Sequence, residues 1–399
     1  MRVLHVLAQL PSKTGSGVYF TNVIKGLDDC QNACIYGCYP GFKGTELPTK
    51  HQYPVTFPNA TCDFPLPGMS DVMPYESTVY GEMTPKMIAN WQAVFRATIR
   101  RAISEFKPDV ILCHHLWFLT SMVCQIAQVP VYAFCHGTDI RQAKQHPALK
   151  DHYVTNLDRL QHVFALSHLE KQRIQATYGL PAEKVTVVGG GYDPAIFNPR
   201  DRVAHQGVNV VYAGKISAAK GVYALATAFD RLRTSFPYAE LTLIGNADEV
   251  AKRRLAPFLQ NPNIHLHNVA DQRHLADFYR HSDVFVLPSY YEGLGLVVIE
   301  ALACDLRVVT TTIPALKEQL GPVVKESGVI SYVDLPRIVN QDEPVAEDLP
   351  AYYDRLQAAL VKQITAIKGQ ADFPNQVRTA IQRSSWPRLI NRIRQVLEK

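Results

Sequence analysis

The sequence predicts an α/β protein of two domains, each an open sheet of parallel strands covered by helices. Three observations predict it. Short apolar blocks of strand length, such as Val208–Ala213 and Val284–Leu287, alternate with amphipathic helical stretches along most of the chain. Glycine-bearing turns stand between a strand and a helix at 9–17, 214–221 and 289–295, where helix N-terminal N–H groups face the space above a sheet edge. Near the middle, Gly189, Gly190 and Gly191 run into Tyr192-Asp193-Pro194 and, with 198–202, break regular structure as a linker would.

At 399 residues, 47% hydrophobic and 19% charged, the chain has material for two ordinary domains with a core in each. A net charge of +5 is too mild to argue for a nucleic-acid partner; it suits an anionic substrate or a loose contact with a membrane surface. Eight cysteines are scattered, several in strand-like runs (Cys113, Cys124, Cys135), and none forms a C-x-x-C pair. Buried free thiols in a reducing compartment are expected. Cys30, Cys34 and Cys38 are evenly spaced but have no local His, which argues against zinc. Met1 leads straight into a strand and no apolar run reaches the ~18 residues a span needs. A cytoplasmic protein, at most peripheral at the inner face of a membrane, is expected.

In chain order, residues 2–8 read as a buried strand leading into Gln9-Leu10-Pro11-Ser12-Lys13-Thr14-Gly15-Ser16-Gly17 and a helix over 18–27. That turn is a candidate anion site, but it lacks the third glycine of a dinucleotide fingerprint and the Gly-Lys-Ser/Thr of a Walker loop. A strand over 33–38 precedes an irregular tract to about residue 84, rich in Pro, Gly and aromatics. It reads either as a surface excursion packed by its own rings or as a lid over a ligand. Residues 91–106 form an amphipathic helix, with Trp91, Val94, Phe95, Ile99 and Ile103 on one side and Arg96, Arg100 and Arg101 off it. Those arginines are a solvated cationic face or a membrane-contact face. Strands follow at 109–115 and Val131–Phe134, the second ending in Cys135-His136-Gly137-Thr138-Asp139-Ile140-Arg141. A His at the carboxyl end of a parallel strand, before a turn-forming Gly, stands where open α/β sheets bind ligands. His114 and His115, at the end of the preceding strand, reach toward the same place. No carboxylate stands at ligand spacing, so no metal triad is indicated. Strands at 163–167 and 184–188 complete this sheet.

The second domain opens with Val208–Ala213, then Gly214-Lys215-Ile216-Ser217-Ala218-Ala219-Lys220-Gly221 and a helix to about residue 233. Two lysines round a strand-to-helix turn make a diphosphate clamp, point charges that neutralise a leaving group. Strands at 241–244, 264–266, Val284–Leu287 and 308–311 finish the sheet. After the third of these comes Ser289-Tyr290-Tyr291-Glu292-Gly293-Leu294-Gly295-Leu296-Val297-Val298-Ile299-Glu300, with a helix beginning near Leu296. Gly293 and Gly295 let the backbone pass close to a ligand. Glu292 in the loop and Glu300 about a turn into the helix border one pocket at different depths. Amides for phosphates and carboxylates for sugar hydroxyls suit a phosphate-linked, hydroxyl-rich ligand.

The block from Glu292 to Glu300 resembles the E-x7-E motif of the retaining nucleotide-sugar glycosyltransferases with the GT-B fold, the large family 4 (glycosyl transferases group 1). The resemblance runs over nearly the whole chain and is strongest over 208–312. It implies two Rossmann-like domains facing across a cleft: 1–195 on the acceptor side, with a C-terminal helix at 386–399 packing back on it, and 205–385 binding the nucleotide sugar. It implies that Glu292 contacts the transferred sugar, Glu300 the ribose, and Lys215 and Lys220 the diphosphate. Lys215 stands where that family usually has Arg, so the bidentate fork is lost. His136 is implied to contact the donor sugar through side chain and backbone. Asp139 would position it or the acceptor, and Arg141, His114 and His115 are further acceptor-side candidates. Gly15 and Gly17, with Ser16 between them, match the family's N-terminal glycine pair, which lets the backbone approach the donor. Gly214, Gly293, Leu294, Gly295 and Leu296 join the donor set. Asn268 and Val269 stand where the base is held by main-chain contacts, without the usual glycine.

The implied activity is transfer of a hexosyl or N-acetylhexosaminyl group from a nucleotide sugar, a UDP-sugar first, to a glycan, lipid-linked or small-molecule acceptor, with retention and without metal or cofactor. No carboxylate is placed as a covalent nucleophile, so front-side transfer is expected, with the departing diphosphate helping to deprotonate the acceptor. Two other classes stay open. One is an isomerase of the UDP-N-acetylglucosamine 2-epimerase type, which shares the architecture and needs no second substrate; the other is an inactive transferase-like subunit.

Overall fold

Every apolar block named above becomes a strand in a parallel ladder. The computed structural model describes all 399 residues except Lys13, Val72, Ala204, Gln341, Gln370, Ala371 and Lys399. Two units divide the chain: Met1–Gly189 with Ile390–Lys399, and Gly190–Leu389. The division falls at the start of the linker read at 189–202, six residues before the bound of 195 that the resemblance implied. Gly190 belongs to the second unit because Gln319 brackets its peptide: its N–H donates to Gln319 Oε1 at 3.0 Å and its carbonyl accepts from Gln319 Nε2 at 2.7 Å. Of the last helix, Trp386–Leu397, the part from Ile390 onward packs with the first unit, Ile390 filling the space that faces Gly26.

The first unit contains β1 (Arg2–Leu7), β2 (Gln31–Cys38), β3 (His51–Thr56), β4 (Val110–His114), β5 (Val131–Phe134), β6 (His162–Ala165) and β7 (Val185–Val187). Their order is β3-β2-β1-β4-β5-β6-β7, all neighbours parallel, with Val3 opposite Val110 in the β1–β4 ladder. The helix Pro85–Phe106 buries Trp91, Phe95 and Ile99, with Trp91 against Tyr80 and Phe118 and Phe95 against Phe57. Two helices start earlier than their apolar periodicity does, each because a threonine caps it. Thr14 accepts from the Gly17 N–H at 3.0 Å and opens Gly15–Gly26; Thr84 accepts from Met87 at 3.3 Å and opens Pro85–Phe106. The tract read as irregular contains β3. It is the edge strand, which is why Pro54 is tolerated inside it.

The second unit contains β8 (Val208–Ala213), β9 (Ala239–Ile244), β10 (Ile264–His267), β11 (Val284–Leu287), β12 (Arg307–Thr311) and β13 (Ile330–Val333), in the order β10-β9-β8-β11-β12-β13, all parallel. The sequence reading stopped at β12 and missed β13, a four-residue edge strand with a single ladder. It also missed the helix Leu349–Lys368, which buries Tyr352, Leu356, Leu360 and Ile364 at four-residue spacing. In each sheet the chain winds outward from a first strand (β1, β8), then restarts on that strand's other side (β4, β11). The carboxyl edge at that reversal is where sheets of this kind hold ligands. All eight cysteines are free, and burial pushes their thiols up, Cys34 to about 12. Among the described residues no helix is long and apolar enough to cross a membrane.

Candidate active site

In the second unit β8 and β11 are neighbours at the reversal, so the loops leaving their carboxyl ends meet. Lys220, on the loop after β8, donates to Glu292 Oε1 on the loop after β11 at 2.7 Å; Ser289 Oγ donates to the same oxygen at 2.8 Å. The backbones touch as well, the Tyr290 N–H donating to the Ala219 carbonyl at 2.9 Å. Gly221 has φ +67°, and a Cβ there would lie 2.0 Å from the Pro288 carbonyl oxygen, so only glycine allows this approach. From beneath, Tyr352 Oη donates to the Pro288 carbonyl at 2.9 Å and Thr311 Oγ1 to the Ser289 carbonyl at 2.8 Å. The residues of the β11 loop are therefore held, not free to swing.

Glu300 lies in the helix Leu296–Ala303, 7% exposed, and its carboxylate meets no hydrogen-bond donor among the described residues. Burial pushes its carboxyl up to about 7. A largely buried carboxyl with a raised proton affinity and no protein donor is of the kind that concentrates at functional sites. Gly295 opens this helix at φ +73°, while Gly293 is exposed with open space where a Cβ would be. Leu294 and Leu296 turn their side chains against Gly190, which leaves only their main chain for a ligand. Lys215 is exposed, and its ammonium has no partner among the described residues. Gly214 precedes it, and Tyr212 Oη donates to the Lys215 carbonyl at 2.8 Å.

Beyond β9 and β10 opens a cavity of about 370 Å³, lined by Gly245, Asn246, Lys252, His267 and Asn268 among others. Asn268 Nδ2 donates to Asn246 Oδ1 at 2.7 Å, and its own Oδ1 accepts from the Val269 N–H at 2.9 Å. The main-chain donor of Val269 is thus engaged within the turn.

In the first unit, the ends of β4 and β5 bring His114 Nδ1 within 3.0 Å of His136 Nε2, the rings stacked at 11°. Burial lowers His136 to about 3 and His114 well below its ordinary value, with the neighbouring imidazoles of His136 and His5 adding to the second shift. Both rings are neutral at pH 7, so one donates and the other accepts. His136 is partly exposed, whereas His114 and His115 are 1% and 2% exposed. Asp139 is 0% exposed; it accepts from the N–H groups of Leu116 at 2.8 Å, Ile140 at 3.2 Å and His136 at 3.3 Å, and from Cys135 Sγ at 3.2 Å. It staples the β4 loop to the β5 loop. Of the acceptor-side candidates, then, His114, His115 and Asp139 lie beneath His136 and orient its loop, because every oxygen of Asp139 is occupied and both imidazoles are covered. Arg141 alone keeps substantial exposure, 3.6 Å from Asp71.

Asp71 belongs to the tract read as excursion or lid. Met69 in that tract donates its N–H to Gln9 Oε1 at 3.4 Å and accepts from Gln142 Nε2 at 3.3 Å, so the tract is fastened at the ends of β1 and β5. Gly17 is needed for close packing: a Cβ there would lie 2.8 Å from the Leu10 carbonyl oxygen and Ser12 nitrogen, whereas at Gly15 it would meet nothing. Lys13, in the same turn, lies outside the described residues. Two residues with a place in these sites carry no assignment in the sequence reading. Ser289 aims Glu292, as described. Glu170 sits behind the His136 loop, its Oε2 accepting from the Leu166 N–H at 2.5 Å, and burial with Asp139 nearby pushes its carboxyl up to about 8. The Ser167-x-x-Glu170 spacing, a capping-box signal, was the available clue.

The family model described as glycosyl transferases group 1 matches residues 207–337, and that described as Glycosyltransferase Family 4 matches residues 74–196. A glycogen synthase of Mycobacterium tuberculosis (strain ATCC 25618 / H37Rv) is 27% identical over 269 residues, 61% of this chain and 63% of the relative, so the match spans less than two thirds of that protein. A D-inositol 3-phosphate glycosyltransferase of Paenarthrobacter aurescens is 28% identical over 168 residues, 38% of this chain and 41% of the relative. Among solved structures, a sucrose-phosphate synthase from Thermosynechococcus elongatus superposes with a TM-score of 0.70 at 14% identity, covering 100% of this chain and 98% of that one. A trehalose-6-phosphate protein from E. coli, solved with UDP-2-fluoro glucose bound, superposes with a TM-score of 0.65 at 11% identity, covering 100% and 99%. The group 1 match covers β8 to β13 of the second unit and the family 4 match covers β4 to β7 of the first and runs on to residue 196, and the chain belongs to the group 1, family 4 glycosyltransferases and has their GT-B fold.

Proposed function

We propose that the protein transfers a hexosyl or N-acetylhexosaminyl group from a nucleoside diphosphate sugar, a UDP-sugar first, to a glycan, lipid-linked or small-molecule acceptor, with retention of configuration. The observation that carries this reading is the Lys220–Glu292 contact at the strand reversal, with the buried, unpartnered carboxyl of Glu300 in the helix that follows. A cation and a carboxylate on adjoining loops, with an acid lacking a protein donor in the helix that follows, match the parts of a nucleotide sugar: diphosphate, transferred sugar and ribose. Glu292 accepts from sugar hydroxyls, and Glu300 gains in the ribose hydroxyls the donors it lacks. Lys215, Lys220 and the N–H groups opening the helices Val222–Asp230 and Leu296–Ala303 stabilise the departing diphosphate without a metal ion. The neutral His136 contributes a hydrogen bond to the sugar, not a charge. The cavity beside Asn268 takes the base. That the E. coli neighbour was solved with UDP-2-fluoro glucose supports a UDP-sugar as the first donor to try.

The test is a donor screen by thermal shift followed by nucleotide-release assays with acceptors. Saturable release that depends on an acceptor, with an α-linked product from an α-linked donor, is expected. Conversion of the donor alone into an epimeric sugar would overturn the transferase reading.

A further inference from the structure

A second cavity in the Gly190–Leu389 unit, of about 410 Å³, is lined by none of the residues assigned above. Two chain segments wall it, residues 192–200 and 382–388, one following the last residue of the first unit and the other preceding the return to it. They are bonded to each other: the Tyr192 N–H donates to the Ser384 carbonyl at 3.1 Å and the Trp386 N–H to the Tyr192 carbonyl at 2.9 Å. Phe197 and Leu302, both buried, give the cavity an apolar floor.

Its charge is one-sided. Arg200, Arg378 and Arg388 all line it, against a single carboxylate, Asp305. Arg378 already grips that carboxylate, Nε at 3.0 Å and Nη2 at 2.7 Å, so Asp305 is satisfied. Arg200 and Arg388 are exposed, and their guanidiniums have no partner among the described residues. Like charges do not converge on a concave wall without cost, and a concave wall concentrates their field. Guanidinium forks match phosphate oxygens bidentately, and Ser385 and Gln382 on the same wall supply neutral polar groups. A volume of this size accommodates a small ligand of pentose or hexose scale.

We propose that this cavity binds a phosphate-bearing small molecule, its phosphate between Arg200 and Arg388 and its remainder over Phe197 and Leu302. The site is separate from the donor site and does not depend on the transferase reading.

The full chain is titrated by calorimetry with inorganic phosphate, pyrophosphate and ribose 5-phosphate. The Arg200–Arg388 site is expected to take one ligand per chain, with ribose 5-phosphate tighter than inorganic phosphate. Arg200→Ala and Arg388→Ala should each weaken it about 10-fold, one lost fork of order 1–2 kcal/mol. Arg200→Lys and Arg388→Lys, which keep the charge and the fold but lose the fork, should fall between. Lys220→Ala and Glu300→Gln should leave it unchanged, and amide exchange in 191–200 and 383–388 should slow on binding. Unchanged affinity in the Arg200→Ala/Arg388→Ala pair, loss in Lys220→Ala, or no binding of any of the three probes would each overturn the proposal.

Discussion

The Lys220 ammonium lies 2.7 Å from the Glu292 carboxylate, across the seam between β8 and β11 and 72 residues apart in the chain. Both side chains keep some exposure, 32% and 16%, so the pair adds at most about 1 kcal/mol to stability. Its consequence is positional: a cation is held beside a loop acid before any ligand arrives. Lys220→Ala is therefore expected to lower kcat by about 10²–10³-fold, the usual cost of losing one preorganised charge at a leaving group, with a melting temperature close to wild type. Steady-state nucleotide release beside a thermal melt measures both. Comparable turnover in variant and wild type removes the leaving-group role.

Glu300→Gln should act on donor binding more than on turnover. With its carboxyl pushed up to about 7, Glu300 is protonated below that pH and accepts only weakly from ribose hydroxyls. Donor affinity in the wild type should thus rise between pH 6 and 8. In the glutamine variant it should be lower and flat. A donor KM that varies identically with pH in the two proteins would separate Glu300 from the ribose.

Stability should run in the opposite direction. An acid whose folded value is raised holds its proton more tightly in the native state than in the unfolded chain, so its ionisation destabilises the fold as pH climbs. For Glu300 that window runs from about 4.5 to about 7, and for Glu170 from about 4.5 to about 8. Each contributes a loss of a few kcal/mol at most, since a tenfold change in proton affinity is worth ~1.4 kcal/mol. Melting temperature should fall from pH 5 to pH 8, and Glu170→Gln or Glu300→Gln should each be stabilising at pH 8 and near neutral at pH 5. A melting temperature that rises across this interval in the wild type and not in the variants would contradict the assignment.

Gly221→Ala should be severe for its size. The positive φ alone costs about 1–2 kcal/mol with a side chain, and the new Cβ would lie 2.0 Å from the Pro288 carbonyl oxygen, forcing the β8 and β11 loops apart. Loss of about 3 kcal/mol in denaturant unfolding is expected. Gly293→Ala, where a Cβ meets nothing, should cost under about 1 kcal/mol and serves as the control.

Asp139→Ala leaves the Leu116 and His136 N–H groups unpaired inside the first unit. A loss of about 2–4 kcal/mol is expected, with amide exchange faster in 115–117 and 136–140. His136→Ala, at a partly exposed ring, should lower turnover with a much smaller change in stability.

The strand, turn and helix that carry Glu292 and Glu300 were legible because their signals are local. A buried strand, two glycines and a helix start occur within the dozen residues ending at Glu300, and the structure keeps them in those roles. The helix starts after Thr14 and Thr84 were not, because apolar periodicity begins only where a helix meets the core, while a capping threonine opens it a turn or more earlier. The four-residue β13 was not, because an isolated apolar run that short is shared by strands and helix fragments alike. Nor was the fate of His114, His115 and Asp139. Their type and position suggested contact with a ligand, but burial depends on what packs above, and that is His136 and the loop Asp139 itself fastens.

By itself the sequence determined two α/β units, the turns at which each sheet meets a helix, and the residues able to grip a phosphate or a sugar hydroxyl, since periodicity and turn chemistry act over a few residues. Only the tertiary structure decided that Lys220 touches Glu292, that Glu300 is left without a donor, and that Arg200 and Arg388 share one wall. The first follows from strand order and the others from how segments distant in sequence pack, conditions on the whole unit that no short window of residues contains.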